Sequence, residues 1–192
     1  MFKAGYVAVV GLPNAGKSSL VNALVGEKVA IISSKPQTTR DNILGIVNGE
    51  DYQIVLVDTP GVHHSKNALD KAMMKNVRSA VNGVDLILYL IDGTTSPSDE
   101  EKEYIEHLET PTKIIKTKID LKNLKKFDCD LEVSSKTGEN IDKLKGLILE
   151  NLPSYEEDHY FFDKDYYTDK SVKLLIAEEM REKARNILHQ EV

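Results

Sequence analysis

Cysteine and tryptophan are scarce in this sequence, which has one cysteine and no tryptophan in 192 residues. With Cys129 alone, no disulfide can form within the chain, and such sparing use of cysteine is typical of a reducing cytoplasm. Because no histidine lies near Cys129 in the sequence, we expect a structural thiol there rather than a metal ligand or a nucleophile.

Long apolar runs and an excess of positive charge are also missing. The longest purely apolar run, Leu86 to Ile91, is far shorter than the about 18 residues that a membrane-spanning helix needs. The 25 Lys and Arg residues against 31 Asp and Glu give a net charge of −6, which argues against holding nucleic acid through a broadly basic face. A hydrophobic fraction of 41% excludes wholesale disorder, so we expect a packed domain.

Strand and helix patterns alternate through the first two-thirds of the chain. This alternation predicts an α/β fold with a mostly parallel six-stranded sheet, helices on both faces and one antiparallel edge strand. Apolar runs predict strands at 6–10, 43–47, 52–57, 84–91, 113–116 and 131–133, and amphipathic periodicity predicts helices at 18–25, 70–81, 99–108 and 140–149.

The composition changes after Pro153. Residues 154–170 combine aromatic and acidic side chains without periodicity, and we interpret them as an ordered linker that packs on a domain formed by residues 1–153. Residues 171–190 carry apolar side chains at three- and four-residue steps. This spacing predicts an amphipathic helix whose apolar face must be buried against something.

The segment Gly11 to Ser18 fits the pattern G-x-x-x-x-G-K-[ST] between the first predicted strand and the first predicted helix. Its glycines let backbone N–H groups turn toward a phosphate, and the helix start adds partial positive charge. Lys17 is expected to reach the β- and γ-phosphates, and the Ser18 hydroxyl to bind Mg²⁺. The predicted phosphate-binding residues are Gly11, Pro13, Asn14, Ala15, Gly16, Lys17, Ser18 and Ser19.

The run Asp58-Thr59-Pro60-Gly61 follows an apolar predicted strand. Considered alone, an Asp before Pro-Gly indicates no more than a turn. After a phosphate-binding loop, this carboxylate can hold Mg²⁺ through water, and the Gly61 amide can contact the γ-phosphate and register its loss.

Two further strand ends carry residues that would select the base. Asp120 can accept hydrogen bonds from both the N1–H and the exocyclic amine of guanine, whereas adenine offers no matching pair of donors. The aliphatic stem of Lys118 can pack on the base plane, and backbone N–H groups of residues 134–136 are expected near guanine O6. The predicted base-binding residues are Thr117, Lys118, Asp120, Ser134, Ser135 and Lys136.

These motifs together resemble those of translation-factor-like GTPases, and the whole chain resembles the bacterial Era family. The run Lys35 to Arg40 (Lys-Pro-Gln-Thr-Thr-Arg) is the most specific part of the resemblance, and residues 26–34 and 165–171 also resemble Era. The resemblance implies a P-loop NTPase fold of the Ras-like G-domain type that hydrolyses GTP to GDP and phosphate with Mg²⁺.

The resemblance also implies roles around the γ-phosphate. Thr39, or alternatively its neighbour Thr38, would bind Mg²⁺ in the GTP state together with Ser18 and Asp58. Lys17, Thr39 and Gly61 would stabilise the charge that develops during hydrolysis.

Val62 stands where Ras-like GTPases carry a water-positioning glutamine, and its side chain cannot form hydrogen bonds. Help with catalysis must therefore come from elsewhere. In related GTPases an asparagine equivalent to Asn14 helps to hold a K⁺ ion. The alternative is that Asn14 is a loop residue with an unusual backbone angle, and both interpretations stay open.

Thr117 departs from the family pattern, which has asparagine at this position. Threonine has no amide NH₂, so the tether to the phosphate-binding loop and a contact to guanine N7 are both in question. Ser135 stands where alanine is usual, and its backbone N–H is unaffected by the change.

Era proteins continue into a KH domain, which grips single-stranded RNA with a G-x-x-G loop. The chain has no glycine after residue 170, so that loop cannot be present in it, and the helix predicted at 171–190 resembles the start of the second domain. The resemblance therefore implies that residues 171–192 are the first helix of a truncated KH-type domain that folds back or pairs with another chain, the alternative being a single-domain GTPase with a C-terminal docking helix. The resemblance implies a cytoplasmic protein that binds 16S rRNA, assists assembly of the 30S subunit and associates peripherally with the inner face of the cell membrane. Two alternatives stay open: a nucleotide-locked interaction module with little turnover, and another GTPase of the same superfamily.

Overall fold

The computed structural model describes residues 1–30, 43–58 and 83–169, together with Ile176, Ala177, Met180 and Lys183. The helix predicted at 70–81 lies outside the described residues, as do most positions of the helix predicted at 171–190. The same holds for the predicted site residues Thr38, Thr39, Gly61 and Val62.

The strands and helices of the described ranges follow the predicted order, with bounds that shift by a few residues. The first strand starts at Phe2 rather than at residue 6, because its first residues pair with Tyr52 and Tyr155 on neighbouring strands. The strands are β1 (Phe2–Gly11), β2 (Ile43–Asn48), β3 (Tyr52–Asp58), β4 (Leu86–Asp92), β5 (Thr112–Thr117), β6 (Leu131–Glu132) and β7 (Ser154–Tyr155), and the helices are α1 (Lys17–Val25), α2 (Asp99–Glu106) and α3 (Ile141–Asn151).

The strands form one sheet in the order β2-β3-β1-β4-β5-β6. Neighbouring strands from β3 to β6 pair in parallel, and β2 pairs antiparallel with β3 at the edge. The predicted fold class is therefore confirmed. The two-residue strand β7, which the sequence did not predict, pairs antiparallel with the start of β1.

Alternate residues of the central strands point into two hydrophobic clusters on opposite faces of the sheet. Val7 and Leu88 belong to a cluster that includes residues of α1 and α3. Ala8 and Tyr89 belong to the other, against which Tyr104 of α2 packs. Because both faces are covered, the central strands are apolar along almost their whole length, as is typical of parallel sheets.

The parallel arrangement also positions the site. β1, β3 and β5 end in the same direction, so the loop after β1, the end of β3 and the residues after β5 lie at one edge of the sheet. Ligands of open α/β sheets bind at the carboxyl ends of the strands. The residues predicted to bind phosphate, metal and base all follow these strand ends.

Residues 161–169 run along the outer edge of β2 and are held there by polar contacts. The buried side chain of Gln53 accepts hydrogen bonds from the backbone N–H groups of Phe161 (2.7 Å) and Phe162 (3.0 Å). Further along, the N–H of Ile46 donates to the carbonyl of Tyr167 at 2.9 Å. Ring contacts add to this attachment, with Phe161 lying 4.9 Å from Tyr6 between centroids.

The remaining described residues carry part of the apolar stripe predicted after residue 170. Ile176 and Met180 are helical, and 55% and 67% of their respective surfaces are exposed. Among the described residues, no helix combines the length and the apolar character needed to cross a membrane.

Candidate functional site

The loop between β1 and α1 turns tightly because positive φ angles fall at Gly11 (150°), Asn14 (65°) and Gly16 (93°). A Cβ atom added at Gly11 would lie 2.4 Å from the Leu90 carbonyl oxygen, so this position requires glycine. Asn14 has the unusual backbone angle that one of its two interpretations expected, and its surface is exposed. The loop passes directly into α1, whose first N–H groups have no partners within the helix.

Lys17, the first residue of α1, turns its side chain back into this loop. Its Nζ donates hydrogen bonds to the carbonyl oxygens of Leu12 (2.9 Å) and Gly11 (3.1 Å). Burial lowers the pKa of Lys17 from its ordinary 10.5 to about 8, although the charge of Asp58 acts in the opposite direction. A buried ammonium group held by backbone carbonyls is positioned to exchange those partners for phosphate oxygens, which carry a full negative charge.

Ser18 and Asp58 bring two oxygen atoms together beside Lys17. The Ser18 hydroxyl donates a 2.8 Å hydrogen bond to Oδ2 of Asp58, whose side chain is fully buried at the end of β3. A hydroxyl and a carboxylate are hard oxygen donors, and Mg²⁺ sites in nucleotide-binding proteins combine one or two such groups with phosphate oxygens and water. These two residues therefore fit Mg²⁺.

Thr117 ties the end of β5 to the phosphate-binding loop. Its hydroxyl lies 2.7 Å from the carbonyl oxygen of Ala15 and 3.2 Å from that of Ile91, and the residue is buried. The tether that the loss of asparagine put in question is thus present. A threonine hydroxyl is short, but the loop approaches closely enough to accept its hydrogen.

Lys118 adopts a left-handed backbone conformation with φ of 59° and directs its side chain toward β4. Its Nζ forms a 2.7 Å ion pair with Oδ2 of Asp92, the last residue of β4. Burial alone would raise the pKa of the Asp92 carboxyl, but hydrogen bonds from Lys118 and Thr94 outweigh burial and lower it. The ion pair fixes the end of the lysine stem that is expected to pack on the base.

Asp120 is oriented by a neighbour from the next strand. Ser134, which is fully buried after β6, donates a 2.7 Å hydrogen bond to Oδ1 of Asp120. The same serine Oγ accepts from the backbone N–H of Thr137 at 3.2 Å, so its hydroxyl hydrogen is free to point at the carboxylate. One oxygen of Asp120 is thereby supported from the protein side.

The other predicted residues lie around this cluster. Ala15 is buried, Pro13, Ser19 and Ser135 are half-buried, and Lys136 is exposed after β6. Cys129 is half-buried just before β6, and burial together with the charge of Glu132 raises the pKa of its thiol. The described residues contain no group of three or more His, Cys, Asp and Glu side chains that could hold a metal ion.

Sequence reasoning missed Asp92 and its partner Thr94, whose N–H and hydroxyl both donate to Oδ1 of Asp92. A signal was present, since an Asp that ends an apolar strand beside the strand of Lys118 lies at the same sheet edge. It also assigned Ser134 only a backbone role, whereas the side chain contacts Asp120.

Comparisons with known proteins agree with this geometry. The family model described as 50S ribosome-binding GTPase matches residues 6–119. A GTPase Era of Thermoanaerobacter sp. (strain X514) is 41% identical over 206 residues, covering 99% of this chain and 67% of the relative. Another from Geobacter sp. (strain M21) is 40% identical over 207 residues, covering 100% of this chain and 69% of the relative.

The chain belongs to the Era family of GTPases. Two solved Era structures are similar to this Era-family chain along 100% of its length. The matched region makes up 70% of each solved chain. One, in complex with MgGDPNP and nucleotides 1506–1542 of 16S ribosomal RNA, has a TM-score of 0.88 and 34% identity. The other, an Aquifex aeolicus Era variant bound to GDP and AlF₄⁻, has a TM-score of 0.87 and 35% identity.

Proposed function

We propose that this Era-family GTPase binds GTP with Mg²⁺ at the carboxyl edge of its sheet, hydrolyses it to GDP and phosphate, and acts as a switch in assembly of the small ribosomal subunit in the cytoplasm. The observation that carries the choice of guanine is the 2.7 Å hydrogen bond from Ser134 to Asp120. It fixes a carboxylate that accepts from the two adjacent donors on the guanine edge, which no other common purine base presents.

Each residue has a role that follows from its contacts. The ammonium of Lys17 exchanges the carbonyls of Gly11 and Leu12 for β- and γ-phosphate oxygens. Ser18 and Asp58 would hold the magnesium ion, which would neutralise charge on the phosphates when bound. Thr39 and the Gly61 amide, outside the described residues, complete the proposed contacts to the metal and the γ-phosphate.

Hydrolysis on this proposal uses a water molecule that attacks the γ-phosphorus in line. No described residue at the phosphate end is placed as a general base, and the proposed catalytic contribution is electrostatic. Asn14 is the proposed partner of a K⁺ ion that adds positive charge at the transition state. Its exposure and left-handed backbone at the rim of the loop leave its side chain available to such an ion.

The ribosomal part of the proposal rests on the relatives. A solved Era structure that resembles this chain with a TM-score of 0.88 contains 16S ribosomal RNA. We propose that residues 1–153 form the GTPase domain, that 154–170 link it to the RNA-binding part, and that 171–192 begin a KH-type domain or pair with another chain. Peripheral association with the inner face of the cell membrane belongs to the same proposal, and co-sedimentation with anionic lipid vesicles tests it.

The variant Asp120→Asn tests the base assignment. We expect the GTP affinity to fall by roughly 2–3 kcal/mol, about 30- to 150-fold, because an amide donor would face the guanine donors. Xanthosine triphosphate, whose C2 carbonyl accepts from that amide, should bind the variant better than the parent chain. Displacement of a fluorescent guanine nucleotide measures both, with the exposed Asp99→Asn as the matched control. Unchanged GTP affinity in Asp120→Asn would contradict the assignment.

Turnover distinguishes a GTPase from a module that merely holds nucleotide. We expect multiple-turnover phosphate release from GTP and Mg²⁺, faster in K⁺ than in Na⁺. A rate that is equal in the two salts and unaffected by Asn14→Ala would remove the potassium role while leaving the GTPase assignment intact.

A further inference from the structure

The hydroxyl of Thr117 makes its hydrogen-bonding contacts within the protein. Its hydroxyl lies 2.7 Å from the Ala15 carbonyl oxygen and 3.2 Å from that of Ile91, and 2% of the residue is exposed. Its carbonyl is fixed as well, since the N–H of Gly93 donates to it at 2.8 Å. A Cβ added at Gly93 would lie 2.7 Å from that carbonyl, so the two segments are in close contact.

A threonine hydroxyl has one hydrogen to donate. Both oxygens near it are backbone carbonyls, which accept and never donate, so the hydrogen points to one of them. The lone pairs that remain can only accept hydrogen bonds. Thr117 therefore holds the loop in place through its hydroxyl and has no second hydrogen to donate to a ligand.

The place of Thr117 in the fold decides what this means for the nucleotide. On one side it contacts Ala15 of the phosphate-binding loop, and three positions later the chain reaches Asp120, the proposed partner of the N1–H edge. The N7 atom of guanine lies on the opposite edge of the purine from N1–H and is an acceptor. In the proposed site the base lies between the loop and Asp120 with Thr117 beside its N7 edge, and the Thr117 hydroxyl offers N7 no hydrogen.

We propose that this chain recognises guanine without a side-chain hydrogen bond to N7, and that its pocket accepts 7-deazaguanine nucleotides as well as guanine nucleotides. The inference rests on the proposed guanine nucleotide site. Discrimination against adenine then comes from Asp120, oriented by Ser134, and from the backbone N–H groups near Ser135. Thr117 acts as a positioning residue through the loop.

The sign of the effect follows from the cost of burying an acceptor without a partner. Moving N7 out of water with no donor facing it penalises GTP, whereas the C–H group of 7-deaza-GTP carries no such penalty. The parent chain should therefore bind 7-deaza-GTP as tightly as GTP or more tightly. A pocket with a donor at position 117 would show the reverse order.

The first experiment uses the unaltered chain, so that no variant has to fold. The Kd values for GTP and 7-deaza-GTP are measured with Mg²⁺ by displacement of a fluorescent GDP, with ATP as the reference for base selectivity. We expect a ratio of Kd(7-deaza-GTP) to Kd(GTP) of about one or below, where one hydrogen bond to N7 would raise it about two- to twelvefold. A ratio of about two or more overturns the proposal.

Selectivity against ATP separates this result from the wider function. Binding of GTP over ATP with a high 7-deaza-GTP ratio rejects the N7 inference alone. Failure to bind either guanine nucleotide rejects the proposed function and this inference with it.

Three variants then test the position. Thr117→Asn supplies a second donor and should raise the ratio about fivefold, since one new hydrogen bond to N7 becomes available. Thr117→Ser keeps one hydroxyl hydrogen and should leave the ratio as it is in the parent chain. Thr117→Val removes the tether and should weaken both nucleotides by the same factor. A ratio in Thr117→Asn equal to that of the parent, in a folded and GTP-binding variant, would show that position 117 does not face N7.

Discussion

The two ends of the proposed nucleotide site, a phosphate end at Lys17 and Ser18 and a base end at Thr117 and Asp120, are built in different ways. At the phosphate end, Lys17 and Ser18 are bonded to carbonyls of the loop and to Asp58, which are partners that a magnesium nucleotide must displace or share. At the base end, Thr117 and Asp120 are held by Ala15 and Ser134 through contacts that can stay in place when a base enters.

The difference teaches which half of the site is preorganised. The base end presents a carboxylate in a fixed orientation, so little has to be rearranged when guanine is bound. At the phosphate end, burial of the Lys17 ammonium disfavours its charged form, and a phosphate anion would favour that form. Changes at the phosphate end should therefore lower nucleotide affinity strongly without lowering the stability of the nucleotide-free chain. Changes at the base end should lower affinity less and should alter the preference among bases.

Replacing Lys17 by Met should have the largest effect and tests the phosphate end directly. Two charge-assisted hydrogen bonds to phosphate, worth about 1.5–3 kcal/mol each, are lost, so GTP affinity should fall at least about 100-fold. The free energy of unfolding without nucleotide should not fall, because the variant no longer buries an ammonium group. Nucleotide titration and urea unfolding measure the two effects, with the exposed Lys102→Met as control. A large loss of stability in Lys17→Met would mean that its carbonyl contacts hold the loop.

The pH dependence should show the same buried charge. Burial holds the pKa of Lys17 at about 8, so above that pH the free chain loses the proton that phosphate binding requires. GTP affinity should then fall by up to about tenfold per pH unit above 8. Between pH 8 and 10.5 the unfolded chain binds more protons than the folded one, so the contribution of Lys17 to stability rises with pH there. Both trends should be absent from Lys17→Met, and their persistence would assign them to another group.

Ser134→Ala should have a moderate effect confined to the base end. The Asp120 carboxylate loses the hydrogen bond that Ser134 donates to it, which is a bond to a charged group, and GTP affinity should fall about fivefold or more. Affinity for inosine triphosphate, which lacks the exocyclic amine, should fall less, so that the preference for GTP over ITP narrows. Ser154→Ala on the exposed strand β7 is the control. An equal loss for both nucleotides would point to general loosening after β6.

The fold was predictable because its signals are local. Apolar runs such as 84–91, glycines that the tight loop requires and the alternation of strand and helix each reflect a short stretch of chain. The order of the phosphate, metal and base motifs also follows from parallel strands ending at one edge. The short strand β7 was not predictable, since two residues carry no periodicity and pair only because β1 lies beside them.

The contacts between distant side chains were less accessible to sequence reasoning. The sequence put the tether from position 117 to the phosphate-binding loop in question because threonine lacks an amide, yet the Thr117 hydroxyl reaches Ala15 across a sequence separation of 102 residues. Nothing in either segment shows how closely they approach. Asp92 was overlooked for the same reason, because its partner Lys118 lies 26 residues further along the chain.

Breaking the ion pair between Asp92 and Lys118 should have the smallest effect on affinity and stability. Asp92→Asn removes the ion pair with Lys118. The side chain of Lys118 is 33% exposed and that of Asp92 is 21% exposed, so solvent screening limits the loss of stability to about 1 kcal/mol or less. GTP affinity should fall only about twofold, because the lysine stem keeps its apolar contact with the base.

The acid limb of the stability curve identifies this contribution. Hydrogen bonds from Lys118 and Thr94 lower the pKa of Asp92 against the effect of burial, so its stabilising contribution is present above pH 3.8 and is lost as the pH falls through the folded-state pKa. The difference in unfolding free energy between the parent chain and Asp92→Asn should therefore shrink in acid. Asp99→Asn, whose carboxylate is fully exposed, should show no such convergence. A difference that stays constant in acid would mean that the asparagine acts through packing, and that the base end is less dependent on charge than its ion pair suggests.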